Sequence, residues 1–345
     1  MTDAHRLSGI PGFSIDRVAD AAEGDNRVLR LENLDTDLSP PPAAVRATRD
    51  AVGRDDANSY LPFVGQTDLR TAVANRLNRS AGTAYTARNV VVTCGATEGM
   101  FDALLALTDA GDEVVLTDPT YAGMIYRARL AGCRTTLVPF VAEDGTWRLD
   151  LDALREAVTA ETRVLFLMNP SMPSGAVLTR DAWDAVAEVC DATDTWLLYN
   201  ASMERIVFDD RPVLHPASWT ALASRTVTVG SVSKEYRMIG WRIGWVAGPG
   251  RIMDEVGRAH IYNAVTPSGF AQRGARAALT GDADFGACLD TWQRRRDVVT
   301  EQLTGFSSVP AAGGWSQLLD VGVLGLDSFT ASDRLLDAGV AATPM

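Results

Sequence analysis

The sequence predicts an α/β protein whose mostly parallel sheet is covered by helices on both faces. Three observations predict this class. Continuous apolar runs of strand length recur along the chain, amphipathic segments of helix length lie between them, and the runs end in turns rich in glycine, proline, asparagine or serine. Continuous apolar runs, unlike alternating ones, are typical of strands buried on both faces of a parallel sheet.

The strand segments can be justified in chain order. NVVVTCG (89–95) enters a glycine turn, while DEVVLTDPTY (112–121) and RVLFLMNP (163–170) both reach a proline. Two further apolar runs, TWLLYN (195–200) and RTVTVGS (225–231), end in asparagine and serine. Because ligands gather at the carboxyl ends of parallel strands, the turns after these runs are where we expect a site.

The segments between the strands have helical spacing. ATEGMFDALLALTDAGD (96–112) stops at Gly111, and YRARLAGC (126–133) leads into the apolar run TTLVPF. TRDAWDAVAEVCDAT (179–193) begins with Thr179, a residue type that caps helix starts. Helices that alternate with strands in this way support the parallel sheet.

Composition excludes several classes of function. The net charge of −12 argues against a nucleic-acid surface, because phosphate contacts need clustered lysine and arginine. No apolar run is long enough to span a bilayer and no signal peptide opens the chain, so we expect no membrane partner and a cytoplasmic location. The widely spaced cysteines form no CxxC pair, so we predict neither a metal site nor a disulfide: Cys94, Cys133, Cys190 and Cys288.

Lys234 is the single lysine among 32 basic residues. The abundance of arginine indicates a GC-rich genome, in which arginine replaces lysine wherever either charge serves. Arginine keeps its charge, whereas a lysine amine can lose its proton and attack a carbonyl. Lys234 also follows the predicted strand 225–231, where a site is expected, so its retention favours a chemical role.

The residues around Lys234 suit a phosphate-bearing aldehyde. Ser231 and Ser233 precede the lysine and Arg242 follows it by eight positions, which provides two hydroxyls and a guanidinium. The turn Gly95-Ala96-Thr97 offers backbone N–H groups and a helix N-terminus to the same phosphate. The amine could then form a Schiff base with the aldehyde.

Five ordered motifs make the chain resemble pyridoxal-phosphate-dependent enzymes of fold type I, in the class I/II aminotransferase family, from about residue 30 to the end. They are SYLPFVGQTDLR (59–70), TCGATEG (93–99), DPTYAG (118–123), NPSMPSG (169–175) and SVSKEYRMIGWRIGW (231–245). The resemblance implies a pyridoxal 5'-phosphate cofactor, an amino-acid or amine substrate and a homodimer. It also implies an N-terminal arm and small-domain segment (1–49), a large cofactor-binding domain (50–280) and a small C-terminal domain, incomplete relative to the family (281–345).

The resemblance assigns roles residue by residue. Lys234 resembles the lysine that bonds the cofactor and later moves the proton at the substrate Cα. Tyr121 resembles the aromatic residue that stacks on the cofactor ring, and Tyr60 the tyrosine that reaches a phosphate across the dimer interface. The expected phosphate ligands are Gly95, Ala96, Thr97, Ser231, Ser233 and Arg242.

Three positions that face the cofactor ring in the family differ in this chain. Asn200 stands where an aspartate usually keeps the pyridine nitrogen protonated, and Met203 and Met172 stand where a tyrosine and an asparagine bond the phenolic oxygen. Asn200 can bond the ring but supplies no charge to stabilise the electron sink. A thioether is at best a weak acceptor. Alternatively, Asn169, Ser171 or Ser202 supplies the missing hydrogen bonds.

These departures leave the reaction open. An aminotransferase acting on an α-amino acid is one interpretation. The second is pyridoxal-phosphate-dependent β-elimination, or decarboxylation with oxidative deamination, as in natural-product tailoring. The third is a non-catalytic relative with a decayed site, although the intact set of Lys234, Ser231 and Arg242 argues against decay.

Substrate clues are few. Asp35 and Asp37 fall where the family's N-terminal segment lines the site mouth, so they either favour a cationic substrate or act as caps and solvated charges. His260 lies near a cross-subunit substrate contact of some relatives, or is structural. The sequence ends at Met345, before the family's carboxylate-binding arginine, so we assign none.

Overall fold

The computed structural model describes residues 5–12, 14–281 and 284–345. The α-helices of these residues are α1 (Ser14–Ala21), α2 (Pro42–Val52), α3 (Asp55–Asn58), α4 (Thr67–Ala81), α5 (Ala96–Leu107), α6 (Ala122–Leu130), α7 (Leu151–Ala157), α8 (Arg180–Thr193), α9 (Thr220–Ala223), α10 (Gly250–Ala264), α11 (Gly269–Gly281), α12 (Phe285–Gln302) and α13 (Ser328–Asp337). The strands are β1 (Leu29–Arg30), β2 (Val90–Thr93), β3 (Glu113–Asp118), β4 (Arg134–Glu143), β5 (Thr146–Leu149), β6 (Thr162–Met168), β7 (Trp196–Asn200), β8 (Thr226–Ser231), β9 (Gly244–Ala247) and β10 (Val340–Ala341).

The central sheet has eight strands in the order β2-β9-β8-β7-β6-β3-β4-β5. Neighbours from β8 through β4 run parallel. Strand β9 is antiparallel to both β2 and β8, and β5 is antiparallel to β4. The predicted α/β class with a mostly parallel sheet is therefore confirmed.

Both faces of the sheet are buried, as the continuous apolar strands predict. In β6, Val164 and Phe166 pack on one face with side chains of α5 and α10. Leu165 and Leu167 point the other way and pack with side chains of α7 and α8. This alternation is the period of two that a strand imposes on its side chains. Since each face has its own core, every residue of the run must be apolar.

The predicted elements differ from the structure mainly at their ends. Helix α6 begins at Ala122, four residues before the predicted start, and Gly123 in its first turn leaves room for the Tyr121 ring. A Cβ at Gly123 would lie 2.6 Å from that ring. Helix α5 ends at Leu107, because Thr108 has an extended backbone. The predicted cap is confirmed: the Thr179 hydroxyl accepts a hydrogen bond from the Ala182 N–H at the start of α8.

A second, two-stranded sheet joins the two ends of the chain. Strand β1 pairs in parallel with β10, so Leu29 lies beside Val340. Val18 of α1 and Ala341 are buried together in a small apolar cluster. The predicted domain boundaries after residues 49 and 280 stay a prediction. Among the described residues, no helix has both the length and the apolar character needed to cross a membrane.

Candidate active site

A cavity of about 440 Å³ lies at the carboxyl edge of the central sheet. Met168 pairs with Asn200, and Asn200 with Val229, so the ends of β6, β7 and β8 lie side by side. Most of the predicted site residues line this cavity: Ala96, Thr97, Tyr121, Asn200, Ser231, Ser233, Lys234 and Arg242. Tyr60 lies outside the cavity lining, with 85% of its surface exposed.

The start of α5 is built to approach a ligand closely. Gly95 precedes the helix with a φ of +82°, a conformation that favours glycine. A Cβ at Gly95 would lie 2.5 Å from the Arg242 guanidinium, and one at Gly244 would lie 2.5 Å from the Ala96 nitrogen. Within the part of the chain that the structure describes, no side chain caps this helix start. Free backbone N–H groups, the helix dipole and a guanidinium therefore converge on one point, which suits a phosphate.

Lys234 lines the same cavity, and its amine is half-buried. The Nζ group donates a hydrogen bond to the Leu34 carbonyl oxygen and lies 5.2 Å from the centre of the Trp315 ring. Burial lowers the pKa of the amine to about 8; the Asp35 carboxylate opposes this shift and Arg242 adds to it. A substantial fraction of the amine is therefore neutral, and nucleophilic, near physiological pH.

Asn200 lies between two methionines at the end of β7. Its Oδ1 accepts the Ser202 backbone N–H at 3.0 Å, which fixes the orientation of the amide. Its Nδ2 therefore faces the sulfur atoms of Met100 and Met168, at 3.5 and 3.7 Å. Thioethers are weak acceptors, so this N–H group remains available to a better one in the cavity.

Of the three side chains suggested as alternative hydrogen-bond partners for the cofactor ring, only one lines the cavity. Asn169 and Ser171 are not among the described residues that line the cavity, whereas Ser202 is. The Ser202 hydroxyl is buried and has no hydrogen-bond partner within the described chain. Met172 and Met203 line the same cavity as Asn200. A buried hydroxyl without a hydrogen-bond partner costs free energy of folding, so the Ser202 hydroxyl indicates that a polar group of a ligand binds here.

Sequence reasoning missed an ion-paired group beneath the start of α5. His260 is fully buried; its Nδ1 faces a Glu98 oxygen at 2.7 Å and an Asp102 oxygen at 3.4 Å. Its Nε2 faces the Phe63 carbonyl oxygen at 3.0 Å, so both nitrogens have acceptors. The other Glu98 oxygen accepts the Cys94 N–H. Glutamate at the third position of α5 was the available signal, since that position often bonds back to the preceding turn.

The two carboxylates around His260 favour its protonated, charged form. Burial opposes protonation, but the hydrogen bonds to Asp102 and Glu98 outweigh it and raise the pKa of His260 to about 9. Burial likewise raises the pKa of Glu98, yet the His260 and Cys94 hydrogen bonds leave it lowered. The three side chains are close enough to hold a metal, with ligand atoms within 4.8 Å of one another. The ion pairs already account for their arrangement, and His260 does not line the cavity.

Replacing His260 by glutamine is expected to cost stability in a pH-dependent way. The folded-state pKa is raised above the unfolded value, so the stabilisation is complete below the unfolded pKa and is lost as pH rises through about 9. The difference in unfolding free energy between wild type and His260→Gln should be about 3 kcal/mol near pH 6, should shrink as pH rises from about 6.5, and should be nearly gone above pH ~9. Denaturant titrations across this pH range measure it. A difference that does not change with pH would contradict the charged state of His260.

The two predicted aspartates of the N-terminal segment differ in their surroundings. Asp37 makes two hydrogen bonds to Arg295, at 2.7 and 3.0 Å, so its charge is already paired. Asp35 lines the cavity, and no ion pair to it occurs within the described residues. The prediction that this segment lines the site mouth therefore applies to Asp35.

The residues present fit pyridoxal phosphate. The glycine-lined start of α5 with Arg242 suits the phosphate, the half-buried Lys234 amine suits an aldehyde, and Ser202 and Asn200 offer polar groups for a ring. The fold and the site together define the chain as a fold type I enzyme of the transferase class.

The chain belongs to the aminotransferase class I and II family, whose model matches residues 28–345. It is 32% identical over 320 residues to an arginine–pyruvate transaminase of Pseudomonas aeruginosa, covering 91% of this chain and 80% of that one. It is 35% identical over 315 residues to a probable N-succinyldiaminopimelate aminotransferase of Mycobacterium tuberculosis, covering 90% and 79%.

Solved structures agree with this assignment. The N-succinyldiaminopimelate aminotransferase from Mycobacterium tuberculosis superposes with a TM-score of 0.93 at 32% identity, covering 99% of this chain and 90% of that one. The aspartate aminotransferase from Thermus thermophilus with maleate gives a TM-score of 0.92 at 27% identity, covering 100% and 91%. The chain is thus an enzyme of the aminotransferase type, which sets aside the non-catalytic interpretation.

Proposed function

We propose that the protein binds pyridoxal 5'-phosphate and transfers the amino group of an α-amino acid to a 2-oxo acid. The observation that carries the proposal is the position of Lys234: the single lysine of the chain is half-buried in the same cavity as the glycine-lined helix start. Bound pyridoxal phosphate supplies an aldehyde that condenses with amines and a ring that withdraws electrons from the amino-acid Cα.

The residues of this chain have separable tasks in that reaction. Arg242, Ser231, Ser233 and the first N–H groups of α5 bind the phosphate, and Tyr121 orients the ring from the cavity wall. Lys234 would hold the cofactor through its aldehyde, and the amine, once released by the incoming substrate, would take the proton from the substrate Cα and pass it on to the cofactor side of the amino nitrogen. The Ser202 hydroxyl and the Asn200 amide N–H bond the polar atoms of the ring.

Replacing Arg242 by glutamine is expected to weaken pyridoxal-phosphate binding by about 10- to 100-fold, because a bidentate charged hydrogen bond to phosphate is lost. Purified apo-protein is titrated with the cofactor and followed by its visible absorption. An amino-acid pool and a 2-oxo acid are then added, and the products are identified by mass spectrometry. Arg49→Gln, which removes an exposed arginine of α2, is the matched control and should bind as wild type does. If wild type does not bind the cofactor, the proposed function is wrong.

The ring environment favours a second candidate reaction, β-elimination, over decarboxylation with oxidative deamination. Asn200 presents an N–H group rather than a carboxylate, and Met172 and Met203 line the cavity where the family resemblance implies an asparagine and a tyrosine. A less stabilised carbanion at Cα favours rapid expulsion of a substituent from Cβ, while decarboxylation would form the same carbanion and gains nothing from it. The product analysis above separates these outcomes. β-Elimination releases the substituent together with ammonia and a 2-oxo acid, whereas decarboxylation with oxidative deamination releases carbon dioxide, ammonia and an aldehyde and consumes dioxygen as the oxidant. In neither case does the added 2-oxo acid receive an amino group.

We also infer a homodimer. Tyr60, Phe63, Leu105 and Tyr262 expose apolar surface, and Tyr262 is 92% exposed. Exposed aromatic surface of this kind is typical of protein interfaces. Tyr60 lies outside its own chain's cavity lining, so contact with a phosphate requires the cavity of a second copy.

The names of the relatives do not identify a substrate for this chain. One relative is named an arginine–pyruvate transaminase and another an aspartate aminotransferase. The cytoplasm stays a prediction.

A further inference from the structure

We infer that the cavity selects amino acids whose side chain ends in a cation, such as a guanidinium or an ammonium group; this inference rests on the proposed function. Asp35 and the Trp315 ring form the subsite that binds this cation. Three charged side chains line the cavity within the described residues: Lys234, Arg242 and Asp35. Cofactor binding engages both cations, Lys234 through its amine and Arg242 through phosphate. Asp35 is then the charge left facing the substrate.

The structure places a cation in this region. The Lys234 ammonium donates a hydrogen bond to the Leu34 carbonyl oxygen and lies 5.2 Å from the centre of the Trp315 ring. The Asp35 carboxylate attracts this ammonium and so opposes the lowering of the lysine pKa by burial. A carbonyl oxygen, an aromatic face and a carboxylate are the groups that proteins use to hold organic cations. The same groups become available to a substrate cation when the lysine amine serves the cofactor.

The Asp35 carboxylate is held in place. Its Oδ1 accepts the Thr36 N–H at 2.7 Å, and its own N–H donates to the Asn33 carbonyl oxygen at 2.8 Å. The segment is also anchored two residues further on, where Asp37 makes two hydrogen bonds to Arg295. An oriented carboxylate binds a cation with less loss of conformational entropy than a mobile one. The paired Asp37 cannot do this without breaking its contact with Arg295.

The walls of the cavity suit an aliphatic stem between Cα and the cation. Met172, Met203 and Tyr121 line the cavity together with Ile15 of α1. Thioethers and aromatic rings pack against methylene groups without requiring hydrogen bonds. A substrate with several methylenes and a terminal cation satisfies both the walls and the carboxylate, whereas a terminal carboxylate would meet Asp35 and be repelled.

Asp35→Asn tests the inference directly. The cofactor-loaded protein is titrated with arginine and with citrulline, which has the same shape but no charge. Binding is followed by the cofactor's absorption, and the kcat and KM of amino-group transfer are measured in parallel. Wild type should prefer arginine, and Asp35→Asn should lose that preference by about 10- to 100-fold, mainly in KM and Kd. Citrulline should respond to the substitution by no more than about 3-fold, because it makes no ion pair.

Asp37→Asn is the matched control, because it removes the same charge two residues away while leaving the cavity unchanged. It should retain the arginine preference. If wild type binds arginine and citrulline equally, or if Asp35→Asn and Asp37→Asn behave alike, the cation subsite is wrong while the proposed function stands. If the protein binds no cofactor, or no amino acid of any class alters its absorption, the proposed function itself is wrong and the inference falls with it.

Discussion

Replacing Lys234 by alanine is expected to lower the rate of amino-group transfer by about 10,000-fold, because positioned proton transfer alone contributes up to that factor. The substitution removes the amine that holds the cofactor and the base that moves the Cα proton. The other groups that line the cavity remain, so the cofactor should still bind through its phosphate. Rapid mixing of cofactor-loaded protein with an amino acid measures the rate, and equilibrium dialysis measures the retained binding.

The lowered pKa of the Lys234 amine predicts how the rate of cofactor binding depends on pH. Its pKa is lowered to about 8, so the neutral fraction increases as pH rises and saturates above that value. Only the neutral amine attacks the cofactor's aldehyde, so the rate of cofactor capture by apo-protein should rise with pH and level off above about 8. Stopped-flow absorption measures this rate. A rate that continues to rise well above pH ~9, near the range of an ordinary lysine, would contradict the effect of burial.

Lys234→Arg is the informative companion to Lys234→Ala. Arginine keeps a cation beside the Leu34 carbonyl and the Trp315 ring, but it does not give up its proton. Both variants should therefore be inactive, and a small primary amine added to Lys234→Ala should restore part of the rate. Activity of Lys234→Arg within about 10-fold of wild type would contradict the role of the neutral amine.

Much of this site follows from the sequence, for a physical reason. Parallel strands bring residues distant in the chain to one edge, so Thr97, Asn200 and Ser231 meet because each follows an apolar run. The scarcity of lysine then selects Lys234 from many positive charges. The type of these residues and their position at a strand end were sufficient to predict that they meet in one site, because the sheet determines their relative position.

Other parts of the site depend on contacts that no local pattern encodes. His260 meets Glu98 across 162 positions, and Trp315 meets Lys234 from the C-terminal segment. Strand β9 was missed because its residues Gly244–Ala247 lie within a motif that was interpreted for its chemistry. Asp35 and Asp37 look equivalent in the sequence; only the position of Arg295 on α12 distinguishes them. Such distinctions need side-chain geometry.

Replacing Asn200 by aspartate is expected to accelerate amino-group transfer by about 100-fold. An ionised carboxylate favours a proton on the cofactor's ring nitrogen, and the charged ring withdraws electrons from Cα more strongly. The wild-type amide instead presents its Nδ2–H group to the cavity, because Ser202 fixes Oδ1, and an N–H donor favours an unprotonated ring nitrogen. Rapid mixing gives the rate, and the ¹⁵N chemical shift of a labelled cofactor reports the ring proton independently of activity.

The same substitution should change stability in opposite directions in the two forms of the protein. Asn200 is 4% exposed and lies against the sulfurs of Met100 and Met168, which cannot compensate a carboxylate. Apo-Asn200→Asp should therefore be less stable than apo-wild type by about 1–3 kcal/mol. A cofactor that carries a ring proton pairs with the carboxylate and removes this cost. The increase in Tm on adding pyridoxal phosphate should consequently be larger for Asn200→Asp than for wild type.

Asn33→Asp is the matched control, since it adds the same charge to the lining of the same cavity, away from the end of β7. It should change neither the ¹⁵N shift nor the gain in Tm on cofactor binding. Three outcomes for Asn200→Asp would together refute the role of Asn200: an unchanged rate, an unchanged ¹⁵N shift and an unchanged gain in Tm. If the ¹⁵N shift moves while the rate does not, the ring proton responds to residue 200 but does not limit the reaction. Amino-group transfer in this chain would then be set by proton movement at Lys234, whose pKa is governed by burial rather than by the ring.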